Sequence, residues 1–232
     1  MTRAPASPKT LRALRADLEQ RFRTSTRVVM VAGRQVTLLS PANADDLISE
    51  DDYVMDERLP YWADLWPSAT IMAGEVASMR LQGLKVLELG CGLGVVAAGA
   101  VLAGADVTAT DYYEDAIEFA RLNVEEATGV GIATRMVNWE KMPTDLGKFD
   151  VVLASDVLYE HRYASLVAGA IAQTLVRGGE AIVADPGRIA LGEFLDECSD
   201  RGLAHDSRAH PFVDGEIRQV ITLYRLRWRT DV

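Results

Sequence analysis

Cysteine, histidine and long apolar runs are scarce in this chain, and each scarcity removes a class of protein. The two cysteines, Cys91 and Cys198, give no disulfide framework and point to a reducing compartment; neither is read as a nucleophile. The three histidines, His161, His205 and His210, follow no ligand spacing, so no metal is expected. No apolar stretch is long enough to cross a bilayer, since the run Val95 to Ala103 is short and carries Gly99. Basic charge is outweighed, 24 Lys and Arg against 34 Asp and Glu, for a net charge of −10. That balance argues against a broad nucleic-acid surface and favours a cationic partner. No glycine precedes Lys-Ser or Lys-Thr, which excludes a P-loop. Internal repeats and low-complexity tracts are also missing.

What the chain does have is a core and a glycine loop. With 232 residues and 49% hydrophobic content it can bury the interior of one catalytic domain. Lys85 to Leu89 is mostly apolar, as a strand buried on both faces of a parallel sheet should be. Gly90, Gly92 and Gly94 then lead into a helix-length apolar run from Val95. Glycines there permit a tight turn and let a ligand approach the backbone at a helix N-terminus. A second strand, Asp106 to Thr110, ends on Asp111, twenty-one residues beyond Gly90. In a βαβ unit a carboxylate at that spacing reaches ribose hydroxyls. Val95 stands where a dinucleotide fingerprint needs Gly or Ala, so NAD is disfavoured. The alternative is a glycine-rich turn that holds no ligand.

Periodicity orders the rest. Leu11, Leu14 and Leu18 mark an N-terminal amphipathic helix, although Arg3, Lys9, Arg12, Arg15, Arg21 and Arg23 also suit a mitochondrial transit peptide. Asp17 and Glu19 interrupt that basic face and favour the helix. Val28 to Ala32 and Gln35 to Leu39 flank Gly33-Arg34 as a hairpin, and 45–56 reads as a loop. A helix is expected over 67–81. Then follow strand 85–89, helix 94–103, strand 106–110, helix 115–127, strands 132–137 and 149–154, helix 162–176, strand 180–184 and helix 189–201. Such alternation predicts an α/β, Rossmann-like, doubly wound parallel sheet. Leu203 to Ala209 and Ile217 to Leu226, separated by Pro211 and Asp214-Gly215, predict an antiparallel C-terminal hairpin. Residues 1–56 are read as a helix and hairpin extension, and 57–232 as the catalytic domain.

Three further segments narrow the chemistry. Pro60-Tyr61-Trp62-Ala63-Asp64-Leu65-Trp66-Pro67 concentrates aromatics upstream of the glycine loop, either as core or as a site wall. Ala154-Ser155-Asp156-Val157-Leu158-Tyr159 follows the fourth strand, where ligands bind in such sheets; the bland alternative is that Asp156 caps a helix. Ala184-Asp185-Pro186-Gly187-Arg188 follows the fifth and reads locally as a turn.

Glu88 to Gly94, E-x-G-x-G-x-G, resembles motif I of the class I, seven-strand methyltransferases that use S-adenosylmethionine (SAM). Together with Tyr61-Trp62-Ala63, Trp66-Pro67, Asp156 with Tyr159, and Asp185 to Arg188, it resembles methyltransferase family 16, a protein-lysine methyltransferase branch. Within that branch it is most similar to the members that act on the β subunit of electron transfer flavoprotein. The resemblance spans roughly residues 57 to 226, and it departs at Ser68-Ala69, where those members carry two glycines. It implies SAM as cofactor, held by Glu88, Gly90, Cys91, Gly92 and Ser155, with its ribose on Asp111, its adenine near Tyr112, Asn138 and Trp139, and Trp66 beside it. It implies a seven-strand sheet with an antiparallel ending. Asp156 and Tyr159 would be the catalytic pair, orienting a lysine head group by carboxylate attraction and cation–π contact. The implied partner is a protein bearing the target lysine, with no nucleic acid, no membrane and no metal. A cytoplasmic monomer is expected, or one of the mitochondrial matrix in a eukaryotic source. Two alternatives stay open: methylation of arginine, histidine or an amine metabolite, and a cofactor-binding protein without activity.

Overall fold

The computed structural model describes residues 8–47 and 60–230. The expected boundary between 56 and 57 and most of the expected loop over 45–56 lie outside the described residues. Helix α1 (Pro8–Arg21) precedes a hairpin of β1 (Thr24–Val31) and β2 (Arg34–Pro41), and α2 (Pro67–Ala77) leads into the main sheet. The βα alternation then runs β3 (Lys85–Leu89), α3 (Val95–Leu102), β4 (Asp106–Asp111), α4 (Glu114–Thr128), β5 (Ala133–Met136), β6 (Phe149–Ser155), α5 (Arg162–Thr174), β7 (Leu175–Asp185), α6 (Leu191–Asp200), β8 (Leu203–Asp214) and β9 (Ile217–Trp228).

Seven strands form one sheet in the order β5-β4-β3-β6-β7-β9-β8. Neighbours from β5 to β7 are parallel, whereas β9 lies antiparallel between β7 and β8. The parallel strands are apolar because helices cover both faces: Val86, Leu87, Leu89, Val152, Leu153, Ile182 and Val183 are all buried. Small residues bring α2 and α3 together, and a Cβ built on Gly99 would stand 2.5 Å from the Ala73 carbonyl oxygen.

The N-terminal helix is docked. Leu14 and Leu18 are buried in a cluster with Trp62 and Phe119, while Arg15 pairs with Glu126 and Arg21 with Asp115 and Glu118 on α4. Burying each leucine is worth roughly 1.5–3 kcal/mol, and a part-exposed ion pair about 0–1 kcal/mol, so the apolar face decides the docking. The amphipathic reading of this segment holds.

Three expected boundaries are corrected. The helix expected to reach 81 ends at Ala77, where the Ser78 hydroxyl turns back to the Gly74 carbonyl; Leu81 is still buried, from a turn. The helix expected to reach 176 ends at Thr174, because Leu175 is already extended and pairs with Phe149 as the first residue of β7. The strand expected to stop at Ala209 runs on through Pro211 to Asp214. Proline is tolerated there because β8 is the edge strand, so the missing N–H costs no ladder bond.

Candidate active site

In a sheet of this order the loops after β5, β4, β3 and β6 lie side by side along the carboxyl edge, where open α/β sheets bind ligands. They enclose one cavity with about 1070 Å³ of empty space between its walls, part of it open to solvent. Gly90, Cys91 and Gly92 line it after β3, Asp111 and Tyr112 after β4, Asn138 and Trp139 after β5, and Ser155, Asp156 and Tyr159 after β6. Tyr61 and Trp66 close it from the segment before α2. The fold therefore brings these residues together from segments far apart in sequence.

Glu88 is the exception. It does not line the cavity but is buried behind it at 1% exposure. Burial holds its carboxyl well above the usual range, against the opposing effect of the Ala97 N–H it accepts, and its Oε2 has no partner among the described residues. Against the expectation that Glu88 touches the ligand, the structure places it behind the cavity wall as a buried support beneath the loop, where desolvation disfavours its charged form.

The glycine loop is held by the carboxylate that follows it in the sheet. Gly90 and Cys91 donate their N–H groups to the Thr110 carbonyl, and Gly92 donates to Asp111 Oδ2 at 2.9 Å. Tyr113 N–H donates to Asp111 Oδ1 at 3.2 Å. Burial raises the Asp111 carboxyl, with the N–H groups of Gly92, Tyr113 and Tyr112 opposing that shift. A cradle results: Gly90 and Gly92 have φ of 71° and 48°, and a Cβ on Gly92 would approach the Trp62 carbonyl oxygen to 3.1 Å. A flat nucleoside above bare backbone, beside a buried carboxylate and the Nε1 of Trp139, which has no partner among the described residues, suits these walls. The thiol of Cys91 is pushed up by burial, so it stays protonated and serves as a small wall.

The β6 end has its own chemistry. Asp156 adopts φ 58°, a left-handed conformation unusual for a residue with a side chain. Its Oδ2 accepts from Ser68 Oγ at 2.9 Å and its Oδ1 from Arg188 Nε at 2.6 Å. The helix-cap alternative fails, since α5 begins at Arg162 with His161 at its N-cap. Tyr159 stands 5.0 Å from Tyr61 and 4.8 Å from Tyr163 between ring centroids, and Tyr61 stands 6.0 Å from Trp66. Burial pushes the Tyr159 hydroxyl far up, so this wall carries no charge. Sequence reading missed Tyr163, four residues after Tyr159 on the first turn of a helix, and it missed the Asp156 partners Ser68 and Arg188. Trp62 serves both purposes, packing with Phe119 at 5.6 Å while also lining the cavity beside its neighbours Tyr61 and Trp66.

Residues 62–185, which hold the glycine loop, Asp111, Asp156 and Tyr159, match the model of a family described as lysine methyltransferase. The chain belongs to the lysine methyltransferase family. Among curated relatives, protein N-lysine methyltransferase METTL21A of Xenopus tropicalis is 34% identical over 109 residues, covering 44% of this chain and 50% of the relative. A ubiquinone biosynthesis O-methyltransferase of Bordetella avium (strain 197N) is 36% identical over 100 residues, covering 43% and 41%. The chain spans about half the length or less of these relatives. The solved magnesium protoporphyrin IX methyltransferase of Synechocystis PCC 6803, with bound SAM, has a TM-score of 0.56 at 21% identity, over 80% of this chain and 98% of that one. At that identity the likeness establishes the fold. With the family, the cradle identifies SAM as the cofactor that these residues suit, and when bound it supplies a methyl group on a sulfonium leaving group.

Asp111→Ala provides a direct check on the cradle. Loss of the carboxylate should weaken SAM binding by about 1–3 kcal/mol, the cost of leaving its partners unmatched. Titration calorimetry that found equal affinity would overturn the expectation that Asp111 holds the ribose.

Proposed function

We propose that this protein transfers the methyl group of SAM to the side-chain nitrogen of a lysine in a protein. The observation that carries the reading is the placement of Asp156 and the Tyr159 ring in the same cavity as the glycine loop and Asp111. Asp156, fixed by two hydrogen bonds, orients the nitrogen, and the walls of Tyr61, Trp66 and Tyr159 surround the aliphatic stem and exclude water. Holding the nitrogen in line is the protein's main contribution, worth up to roughly 7–11 kcal/mol at ideal orientation. The lysine methyltransferase relatives support a protein acceptor. O-methylation, the chemistry in the name of the ubiquinone biosynthesis relative, is served best by a positioned base such as histidine; among the described residues none of the histidines lines the cavity.

Tritiated methyl transfer from SAM into a lysate of the source organism, read on a gel, decides between the readings. A labelled protein band whose label resides on lysine is the expected result; label confined to small molecules would replace the protein acceptor. The most economical acceptor to test is the β subunit of electron transfer flavoprotein. Both cysteines are free and buried, which suits a reducing compartment such as the cytoplasm.

Net charge gives the reading a second consequence. An acidic enzyme steers a lysine-bearing surface toward itself, and salt shortens the reach of that field to about 8 Å at physiological ionic strength. The kcat/KM for a protein acceptor should therefore fall steadily as salt rises from roughly 20 to 500 mM. A value indifferent to salt in stopped-time assays would argue for an uncharged acceptor.

A further inference from the structure

Each acidic side chain around the β6 end of the cavity has a guanidinium of its own. Asp64 pairs with Arg27 at 3.2 Å, Glu160 with Arg162 at 2.8 Å, and Asp156 with Arg188 at 2.6 Å. The first two carboxylates are 42% and 38% exposed, so water screens them. Asp156 is different, with a side chain only 4% exposed. Its charge acts in a low dielectric, and the identity of its partner therefore matters far more.

We propose that Arg188 is a positioning residue that sets the charge of the acceptor subsite through Asp156: the pair presents a carboxylate that orients the incoming nitrogen while its charge is already balanced, so that the site takes the amine without trapping the ammonium. The inference rests on the lysine reading above. Methyl transfer needs the nitrogen lone pair, which a protonated lysine lacks. An opposite charge within about 4–6 Å shifts a pKa by 1–3 units toward the charged form. An unbalanced Asp156 would thus deplete the reactive amine by roughly ten- to a thousand-fold. Arg188 offsets that pull without entering the cavity, since it does not line the walls.

Arg188 is itself fixed. Its guanidinium carbon stands 5.3 Å from the Trp66 ring centroid, and its backbone N–H and that of Gly187 each donate to Asp185 Oδ1 at 2.7 Å. Asp185 is fully buried at the end of β7, so the turn after β7 aims the side chain across to the end of β6. Ser68 satisfies the other Asp156 oxygen with a neutral hydroxyl and adds no charge. The remaining charged or titratable neighbours are Asp64, Asp111, Glu140 and Glu160 with the hydroxyls of Tyr61, Tyr159 and Tyr163, which line the same cavity, and Asp185 behind it, which feels the charges of both Asp156 and Arg188; all stay constant when Arg188 is changed.

The test reads binding. The full chain, saturated with S-adenosylhomocysteine, is titrated at pH 7 with n-butylammonium, which carries the lysine head group, and with 1-butanol, its neutral counterpart. Arg188→Gln should raise the preference for butylammonium over butanol at least about tenfold, the low end of the effect of an unbalanced carboxylate. Arg188→Lys keeps the charge and should return the preference close to wild type. Asp156→Asn, which leaves Arg188 unbalanced, should move it the other way, and it serves if the Gln variant does not fold. An unchanged preference, or an equal loss of both ligands, would overturn the proposal. Because no transfer is measured, the two ideas fail separately: a protein that labels no lysine in the tritium assay loses the lysine reading, whereas unaltered selectivity in the variants loses the charge balance alone.

Discussion

Gly94→Ala is expected to lower the melting temperature on the order of 10 °C and to abolish measurable SAM binding near that temperature. Gly94 is the N-cap of α3, with φ 81° and ψ 17°. A side chain in that conformation costs about 1–2 kcal/mol. Its Cβ would also stand 2.8 Å from the Ala120 Cα and 2.9 Å from the Ala120 Cβ. Both are atoms of a packed helix and cannot swing away, so overpacking adds about 1–3 kcal/mol. The sum, roughly 2–5 kcal/mol, converts at about 2–4 °C per kcal/mol for a chain of this size. Gly90 is a useful contrast, because a Cβ there meets the Val157 side chain at 3.1 Å and the Trp139 ring at 3.6 Å. Gly90→Ala should lose cofactor affinity while keeping more of its stability. Thermal melts of both variants check the argument, and a Gly94→Ala protein that melts with wild type would refute it.

Asp156→Asn should lower kcat/KM for a protein acceptor by at least about tenfold, or 1.4 kcal/mol, and leave SAM affinity nearly unchanged. Asparagine preserves the size, and its amide oxygen can still accept from Arg188 while its NH2 group meets the Ser68 hydroxyl. What disappears is the charge. The guanidinium is then unopposed beside the acceptor subsite and repels an arriving ammonium. Tyr159→Phe keeps the ring, so its loss should be small; Tyr159→Ala removes the aromatic wall against Tyr61 and Tyr163 and should cost more. Steady-state kinetics on the three variants decide the matter: full activity in Asp156→Asn would make that residue a purely structural element of the β6 turn.

The legibility of this chain follows the distance over which each signal acts. Motif I and Asp111 could be read because the strand, the turn and the following carboxylate belong to one βαβ unit, whose spacing is set by helix length. The order of the elements was readable for the same reason, and so was the antiparallel ending. Helix ends were less so: at Thr174 the apolar pattern continues into Leu175 and Val176, and only the pairing of Leu175 with Phe149 ends the helix. The environment of Asp156 was not readable at all. Ser68 lies 88 residues before it and Arg188 lies 32 after it, and no local pattern records that three separate segments converge. Glu88 was misplaced because its proximity to the glycine loop along the chain suggested contact, whereas strand alternation turns its side chain behind the loop.

The insertion of β9 between β7 and β8 also governs how the chain can assemble. β8 leaves the ribosome before β9 yet has no place in the sheet until β9 fills the slot beside β7, so the last strand of the seven completes two seams at once. Until then β7 presents an open, apolar edge from Ala181 to Ala184, the kind of surface that recruits strands from other chains. Any truncation that removes β9 should therefore show up first as aggregation of the newly made protein, well before the question of catalysis arises.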